Sequence, residues 1–456
     1  MMIAMVGAAY ASAPDADMTN QNGVIGEFEN PDSPSRQTNT VKFYKEITAY
    51  NKDASTVNAP TLTYSYTIEP GDASKSVTDA GGTSLHASGN SVTVLTKAGL
   101  TGATISGSVD NGTTYTNGTL QLTNAVQLTT ADSGYANKFP IKVDFSNVSW
   151  APPAGTTEEN MSKYGAGVYR YKITESTASG AKTAAGVTEG GIAEILYMDV
   201  YVKDATSGYE IYGYTCFKEN SDINGTTASS NLTTIQKTEG FVAGDTDGSG
   251  TVEADEQADK YYTFNLEISK TLVNDQAMNG HQFPFNVDFT NASVTANILL
   301  KQETTAGGGI TANLPSAAAV SSLDVTDLKL ANGAKVKYIG IPVGVTEATT
   351  VAVYERNDVT GTVYRSSYTV DGGTTSTPRS LTWDSTGDAN KSDVANLPAI
   401  TMNTDDDVSH TIAFTNTLEQ ISPTGYVSRF APYALILIGG IVLLIIAKKR
   451  KHTEED

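Results

Sequence analysis

The stretch TVKFYKEI, residues Thr40 to Ile47, decides the fold because its apolar side chains recur at every second position. That period is typical of a β-strand with one face buried in a core. A second stretch, YTFNLEISKTL from Tyr262 to Leu272, repeats the pattern. Short alternating runs separated by Gly and Asn fill the chain between and after these two stretches. We therefore predict an all-β protein with two tandem β-sandwich domains, over residues 39–261 and 262–420.

Each of the two stretches carries a lysine on its apolar side. Lys45 shares its parity with Phe43 and Ile47, and Lys270 shares its parity with Ile268. Residues of one parity lie on one face of a strand, so both lysines are predicted to point into a core. A buried ammonium group is costly unless it is paired or loses its charge. Both lysines therefore need specific partners.

The same parity test finds those partners on other strands. Glu175 shares a face with Ile173, and Glu355 shares a face with Val353. On the final strand of the second domain, Asn416 shares a face with the apolar residues before it. Each predicted core thus contains a lysine and a glutamate, and the second core also contains a side-chain amide.

A lysine, a glutamate and a side-chain amide in one core can form an isopeptide bond without an added enzyme. Burial lowers the pKa of the lysine and raises the pKa of the glutamate, which leaves a neutral amine and a protonated acid that polarises the amide carbonyl. The fold holds the groups close together, and the glutamate can carry protons as the leaving group departs. The sequence thus predicts a covalent bond between the first and last strands of a domain.

Four features in a fixed order resemble streptococcal-type major backbone pilins. They are the lysine strand, GVYRYKITES with Glu175, VAVYERND with Glu355, and the terminal IAFTN. The resemblance implies immunoglobulin-like (CnaB-like) β-sandwich domains, each closed by one isopeptide bond. In the second domain it implies a bond between Lys270 and Asn416 with Glu355 as the catalytic residue.

The acceptor of the first domain is implied by its position shortly before the next domain's lysine. Asp259 stands there, with Lys45 as the nucleophile and Glu175 as the catalytic residue. An aspartic acid can take part because a protonated carboxyl condenses with an amine by losing water rather than ammonia. Asn265 and Asn220 are alternative acceptors, since the residues around Asp259 show no clear apolar face.

The C-terminal end combines the motif ISPTG at 421–425, an uncharged apolar run over 430–447 and a tail at 448–456 that begins with four basic residues. This order resembles the cell-wall sorting signal of Gram-positive surface proteins, in which a sortase cuts an LPxTG-like motif, here between Thr424 and Gly425. The apolar run is long enough to predict a transmembrane helix. At the other end, we expect residues 1–11 to be the end of a longer signal peptide and residues 12–38 to be a flexible lead-in.

The acidic residues of 245–256 follow the spacing of an EF-hand loop, with Gly250 at the turn. The predicted Ca²⁺ ligands are Asp245, Asp247, Ser249, the Thr251 carbonyl and Glu256. A helix is predicted after the loop, over Ala254 to Asp259. We therefore expect a calcium site next to Asp259, with a solvated acidic turn as the alternative.

Charge and composition limit the class of protein. Fifty acidic and 30 basic residues give a formal net charge of −20, which argues against nucleic acid as a partner. The single cysteine, Cys216, excludes an intramolecular disulfide and is expected to be a small core residue. With four scattered histidines and no G-x-S-x-G motif or metal triad, the chain is predicted not to be an enzyme.

These features together predict a wall-anchored structural subunit of a covalent pilus at the cell surface. The expected partners are a sortase, other copies of the chain, minor pilins and peptidoglycan. A lysine of one copy must attack the sortase-bound Thr424 of another, and Lys237 is the first candidate, with Lys203 and Lys218 as alternatives. The alternative function is a monomeric wall-anchored adhesin of the same fold.

Overall fold

A computed structural model gives the architecture of the chain. It describes residues 39–72, 96–106, 109–110, 113–123, 125–192, 194–218, 237–244, 252–275, 278–291, 301–305, 310–311, 322–343, 345–346, 348–356, 364–381, 395–397, 409–418 and 433–445. Predictions for the signal peptide, the lead-in, the sorting motif and the basic tail lie outside these ranges.

The described part of the chain is built mainly from β-strands, so the all-β prediction is confirmed. The strands of its N-terminal half are β1 (Thr40–Tyr50), β2 (Thr56–Asn58), β3 (Leu62–Pro70), β4 (Lys97–Ala98), β5 (Thr104–Ser106), β6 (Val109–Asp110), β7 (Thr113–Thr116), β8 (Thr119–Leu122), β9 (Gln127–Thr129), β10 (Tyr135–Asp144), β11 (Gly167–Glu175), β12 (Val187–Thr188), β13 (Ile195–Ala205), β14 (Gly208–Lys218), β15 (Lys237–Thr238) and β16 (Gly240–Phe241). The strands that follow are β17 (Asp259–Val273), β18 (Phe283–Thr290), β19 (Lys301–Thr305), β20 (Ile310–Thr311), β21 (Ser322–Leu330), β22 (Lys335–Pro342), β23 (Thr350–Glu355), β24 (Tyr364–Val370), β25 (Arg379–Leu381), β26 (Ala395–Asn396) and β27 (His410–Leu418).

The largest sheet has 11 strands, with the main order β25-β24-β27-β17-β1-β10-β5 and with β22 also paired to β17. We call it the long sheet. A nine-stranded sheet contains β11 and β3, and a five-stranded sheet contains β18 and β23. The long sheet and the nine-stranded sheet supply the first cluster of buried apolar side chains, whereas the long sheet and the five-stranded sheet supply the second. The described part of the chain thus has two hydrophobic cores that share one sheet.

The strand β17 belongs to both halves of the long sheet. Its first residues pair in parallel with β1, and the residues after them pair in parallel with β27 and antiparallel with β22. The predicted boundary between residues 261 and 262 therefore lies inside a continuous strand. Sequence alternation did not reveal this continuity, because the buried positions change from odd residue numbers, Asp259 and Tyr261, to even ones from Phe264 onward.

A buried amide network joins the two halves beside this strand. Asn51, at the end of β1, donates to Thr263 at 2.9 Å and to Asn265 at 3.0 Å, and Asn265 donates back to Asn51 at 2.8 Å. The rings of Tyr50 and Tyr262 stack next to it with centroids 4.2 Å apart. Since buried amides are held in place by their hydrogen bonds, this network fixes the relative position of the neighbouring strands.

Helical segments are few in the described ranges. They are α1 (Glu158–Met161), α2 (Ser179–Ala184), a 3₁₀ turn (Ala254–Glu256) and residues 433–445. The helix predicted over Ala254 to Asp259 was wrong in extent, because only one 3₁₀ turn forms and Asp259 already begins β17. Residues 433–445 lie within the span predicted over 430–447, and among the described residues no helix reaches the length and apolarity needed to cross a membrane.

Candidate functional site

The second core contains a cluster made by β17, β23, β24 and β27. Its members are Lys270, Glu355, Asn416 and Ser366, which we call the second-domain cluster. Lys270 is 1% exposed, and its Nζ lies 2.7 Å from Oε1 of Glu355. Asn416 is fully buried and donates from Nδ2 to the same Oε1 at 2.7 Å. One glutamate oxygen therefore contacts both the amine and the amide nitrogen.

Two neighbours complete the surroundings of this glutamate and lysine. Ser366 on β24 lies opposite Asn416 and donates to the other oxygen of Glu355, Oε2, at 3.1 Å. The ring of Phe283 lies under Lys270, with its centroid 4.7 Å from Nζ. The carbonyl oxygen of Asn416 has no hydrogen-bond partner within the described ranges. The amide oxygen is thus a buried acceptor that no described residue occupies.

Burial makes the neutral amine of Lys270 more accessible in the second-domain cluster. Burial lowers the pKa of Lys270 from 10.5 to about 8, although Glu355 acts in the opposite direction. Desolvation destabilises an ammonium group because water no longer solvates its charge. An amine with such a pKa is deprotonated in a useful fraction of molecules near neutral pH, which is what a nucleophile requires.

The first core contains a corresponding cluster, made by Lys45 on β1, Glu175 at the end of β11, Asp259 at the start of β17 and Lys182 on α2. We call these four residues the first-domain cluster. Nζ of Lys45 lies 2.9 Å from Oδ2 of Asp259 and 3.1 Å from Oε2 of Glu175. All four residues are less than 5% exposed. The structure therefore brings together the three residues that the sequence analysis assigned to this domain.

Asp259 is held from two further sides. The hydroxyl of Tyr64 donates to Oδ2 at 2.9 Å, and the backbone N–H of Gly190 donates to Oδ1 at 2.8 Å. A glycine is needed at position 190, because a Cβ atom there would lie 2.1 Å from the carbonyl oxygen of Gln257. The close approach of two backbones thus supplies one hydrogen bond that orients the carboxylate.

Lys182 was missed by the sequence analysis. Its Nζ lies 3.0 Å from Oε1 of Glu175, 3.5 Å from Oδ2 of Asp259 and 3.0 Å from Oε1 of Glu189. Parity could not reveal it, since α2 is a six-residue helix in a loop region and has no apolar period. Such a lysine can be identified only from the folded structure, in which the loop packs over the core.

The charges of the first-domain cluster stabilise one another. Burial opposes the charged form of Asp259, but Lys45 and Lys182 outweigh it and lower the pKa of Asp259 below its usual value. Burial likewise opposes the charge of Lys182, but Glu175 and Asp259 raise the pKa of Lys182 above its ordinary value. The unreacted cluster is thus a buried set of two cations and two anions.

The two clusters share one register. In the first half, Asp259 lies opposite Ile47, two residues after Lys45. In the second half, Asn416 lies opposite Leu272, two residues after Lys270. Both pairs of strands are parallel and adjacent. The equal offset on parallel neighbours places each lysine and its predicted acceptor on adjoining strands of the same sheet, and in the first cluster Lys45 Nζ lies 2.9 Å from Asp259 Oδ2.

The other residues considered as acceptors or linking lysines are placed differently. Asn265 is hydrogen-bonded to Asn51 in the buried amide network that joins the two halves, and Asn220 lies outside the described residues. Lys203 is exposed and 2.8 Å from Glu210, and Lys218 is half-buried. The backbone of Lys237 pairs with Phe217 at one edge of the nine-stranded sheet. The predicted cleavage residues Thr424 and Gly425 lie outside the described ranges.

The structure describes one of the five predicted calcium ligands. Glu256 is buried and accepts a hydrogen bond from the backbone N–H of Glu253 at 3.2 Å in a capping box. Asp245, Asp247, Ser249 and Thr251 lie outside the described residues. Within the described ranges, no group of three or more His, Cys, Asp or Glu side chains could hold a metal ion. Calcium binding stays a prediction.

No protein-family model matches the chain, and no curated protein matches its sequence. Similar solved structures include the major pilin of Streptococcus pyogenes, at 14% identity and a TM-score of 0.32 over 82% of this chain and 98% of that chain. The major pilin protein T3.2 of Streptococcus pyogenes aligns at 16% identity and a TM-score of 0.32, over 84% and 99% of the two chains. The pilus-presented adhesin Cpa aligns over 50% of this chain and 37% of that chain, at 15% identity and a TM-score of 0.22.

Proposed function

We propose that this chain is a cell-surface structural subunit whose two cores are each closed by a self-formed isopeptide bond. The observation that carries the proposal is the second-domain cluster, in which one buried carboxylate oxygen lies 2.7 Å from both a lysine Nζ and an asparagine Nδ2. A buried lysine beside a single glutamate would suffice for an ion pair. The amide on the same oxygen adds the acceptor that an ion pair does not need.

The arrangement supports a complete reaction in the second domain. The neutral amine of Lys270 attacks Cγ of Asn416, and a new Nζ–Cγ bond forms. Oε1 of Glu355 takes a proton from the attacking nitrogen and passes it to Nδ2, since it contacts both atoms. The Cγ–Nδ2 bond then breaks and ammonia leaves. The product is an amide between β17 and β27, and no cofactor takes part.

The first domain supports the same reaction with a different leaving group. Lys45 transfers one proton to Asp259, and the resulting amine attacks Cγ to form an Nζ–Cγ bond. The attacking nitrogen then gives up a second proton, which Glu175 at 3.1 Å can carry to the carboxyl oxygen, and the Cγ–O bond breaks to release water. The bond would join β1 to β17. Both proposed bonds therefore use β17, which supplies the acceptor of the first and the nucleophile of the second.

Intact mass measurement tests these bonds directly. The full-length chain, produced without export and kept in mild detergent, should weigh less than its sequence by one water and one ammonia. Protease digestion and tandem mass spectrometry should then find Lys45 joined to Asp259 and Lys270 joined to Asn416. A mass equal to that of the sequence would refute both bonds.

We further propose that the chain is polymerised by a sortase through Thr424 into a covalent pilus, with other copies, minor pilins and peptidoglycan as partners. The sequence order of motif, apolar run and basic tail supports this step. Wall material boiled in detergent should show a ladder of multimers that disappears in a Thr424→Ala variant. A single band in the wild type would instead indicate the monomeric adhesin.

A further inference from the structure

The first-domain cluster differs from the second-domain cluster in its charged groups. The second has one lysine and one glutamate around a neutral amide. The first has two lysines, a glutamate and an aspartate, and Glu189 touches Lys182 from a position where its side chain is 37% exposed. The charge of Glu189 is therefore partly screened by water. In each cluster the charges of the buried groups sum to zero. The first-domain cluster needs one more cation than the second-domain cluster because its acceptor is an acid.

We propose that Lys182 is the counter-ion that allows Asp259, rather than an asparagine, to be the acceptor in the first domain. This inference rests on the proposed isopeptide bond and adds to it a residue that speeds the formation of that bond. The role follows from position, because Nζ of Lys182 lies 3.0 Å from Oε1 of Glu175 and 3.5 Å from Oδ2 of Asp259.

The physical reason concerns Lys45. Without Lys182, the ammonium group of Lys45 would face two buried carboxylates, which would hold its proton strongly. Lys182, 3.0 Å from Glu175, offsets the charge of that carboxylate at Lys45, so the ammonium group there faces one uncompensated anion, Asp259, and can pass its proton to it. The longer 3.5 Å contact of Lys182 with Asp259 works against this transfer. The transfer gives a neutral amine and a neutral acid. These are the forms that condense with loss of water.

The charges that remain in the first-domain cluster after the reaction also support this role of Lys182. Condensation removes one cation and one anion together, since Lys45 and Asp259 become a neutral amide. Glu175 and Lys182 then remain as a buried ion pair at 3.0 Å. Lys182 therefore keeps the site neutral both before and after the bond forms. A site with three groups would leave a lone buried carboxylate in the product, which is costly unless that group takes up a proton.

Three variants test the proposal, with mass loss in the second domain as an internal control. Lys182→Met should keep the ammonia loss but slow the water loss about tenfold or more, the effect of one pKa unit on the reactive protonation state. Lys182→Arg should keep the water loss, because arginine supplies the cation and does not act as a nucleophile. Lys182→Met with Asp259→Asn should recover the cross-link, now with loss of a second ammonia, since one anion and one cation are removed together.

The outcomes separate this role from others. A merely structural role would not predict rescue by Asp259→Asn, so failure of the double variant to cross-link would overturn the proposal. Unchanged water loss in Lys182→Met, or a cross-link that maps to Lys182 itself, would also overturn it. Absence of water loss in the wild-type chain would instead refute the proposed bond of the first domain.

Discussion

Replacing Asn416 with alanine removes the acceptor of the second bond while leaving the ion pair between Lys270 and Glu355 in place. The proposed cross-link closes a loop of roughly 150 residues, for which the chain-entropy model gives about 5 kcal/mol of stabilisation at 25 °C. For a domain of this size, that loss should lower the melting temperature by roughly 10–20 °C. The effect would be large compared with the total stability of most domains, which is about 5–15 kcal/mol.

Differential scanning calorimetry and intact mass should be measured on the same samples. Asn291→Ala is a matched control, because Asn291 is a buried amide of the same half whose Nδ2 donates to the hydroxyl of Thr349 at 2.6 Å. Its loss should cost about 1–3 kcal/mol, since it leaves a buried polar partner unsatisfied. The reasoning is refuted if the two variants have the same melting temperature, or if the mass of Asn416→Ala still shows the loss of ammonia.

Three further predictions concern the charges, the catalytic hydrogen bonds and the junction. The Asn416→Ala variant should gain stability in urea titrations as the pH rises above 8. The reason is that the pKa of Lys270 is lowered to about 8 in the folded state, whereas the unfolded chain keeps the proton to higher pH. Adding Lys270→Met should remove this dependence of stability on pH. Ser366→Ala should slow ammonia loss several-fold in mass time courses after cell-free synthesis, whereas Ser367→Ala, on the other face of β24, should not. Asn51→Ala should cost about 1–3 kcal/mol in the urea midpoint, since it leaves buried polar groups unsatisfied at the junction.

Strand parity made much of the candidate site predictable from the sequence. Whether a lysine in a strand faces the core is a local property, decided by neighbours two positions away, so Lys45 and Lys270 could be identified from short stretches. The same holds for Glu175 and Glu355, each of which ends a strand with apolar residues of the same parity. The clusters of the structure contain these side chains because the alternation fixes which face they share.

Other parts of the site depend on contacts that no local pattern records. Asp259 begins β17, and the parallel pairing of the first residues of that strand with β1 places it beside Lys45. Lys182 reaches the cluster from a short helix, and Gly190 reaches it through a close backbone contact. The continuity of β17 across the two cores also depends on pairing between segments far apart in the chain.

The shared strand β17 also sets an order of events during biosynthesis. The strands of the N-terminal half, up to the residues of β17 that pair with β1, have all left the ribosome or the export channel with residue 262. The parallel partner of the second half, β27, follows roughly 150 residues later. At about 5–20 residues per second, that interval is roughly 7–30 s. The N-terminal clamp can therefore close while β17 still has one edge open, covered on its other side by β22. A chain that stalls in this interval would present an open strand edge to its neighbours, so delayed export should favour aggregation through the second half of β17.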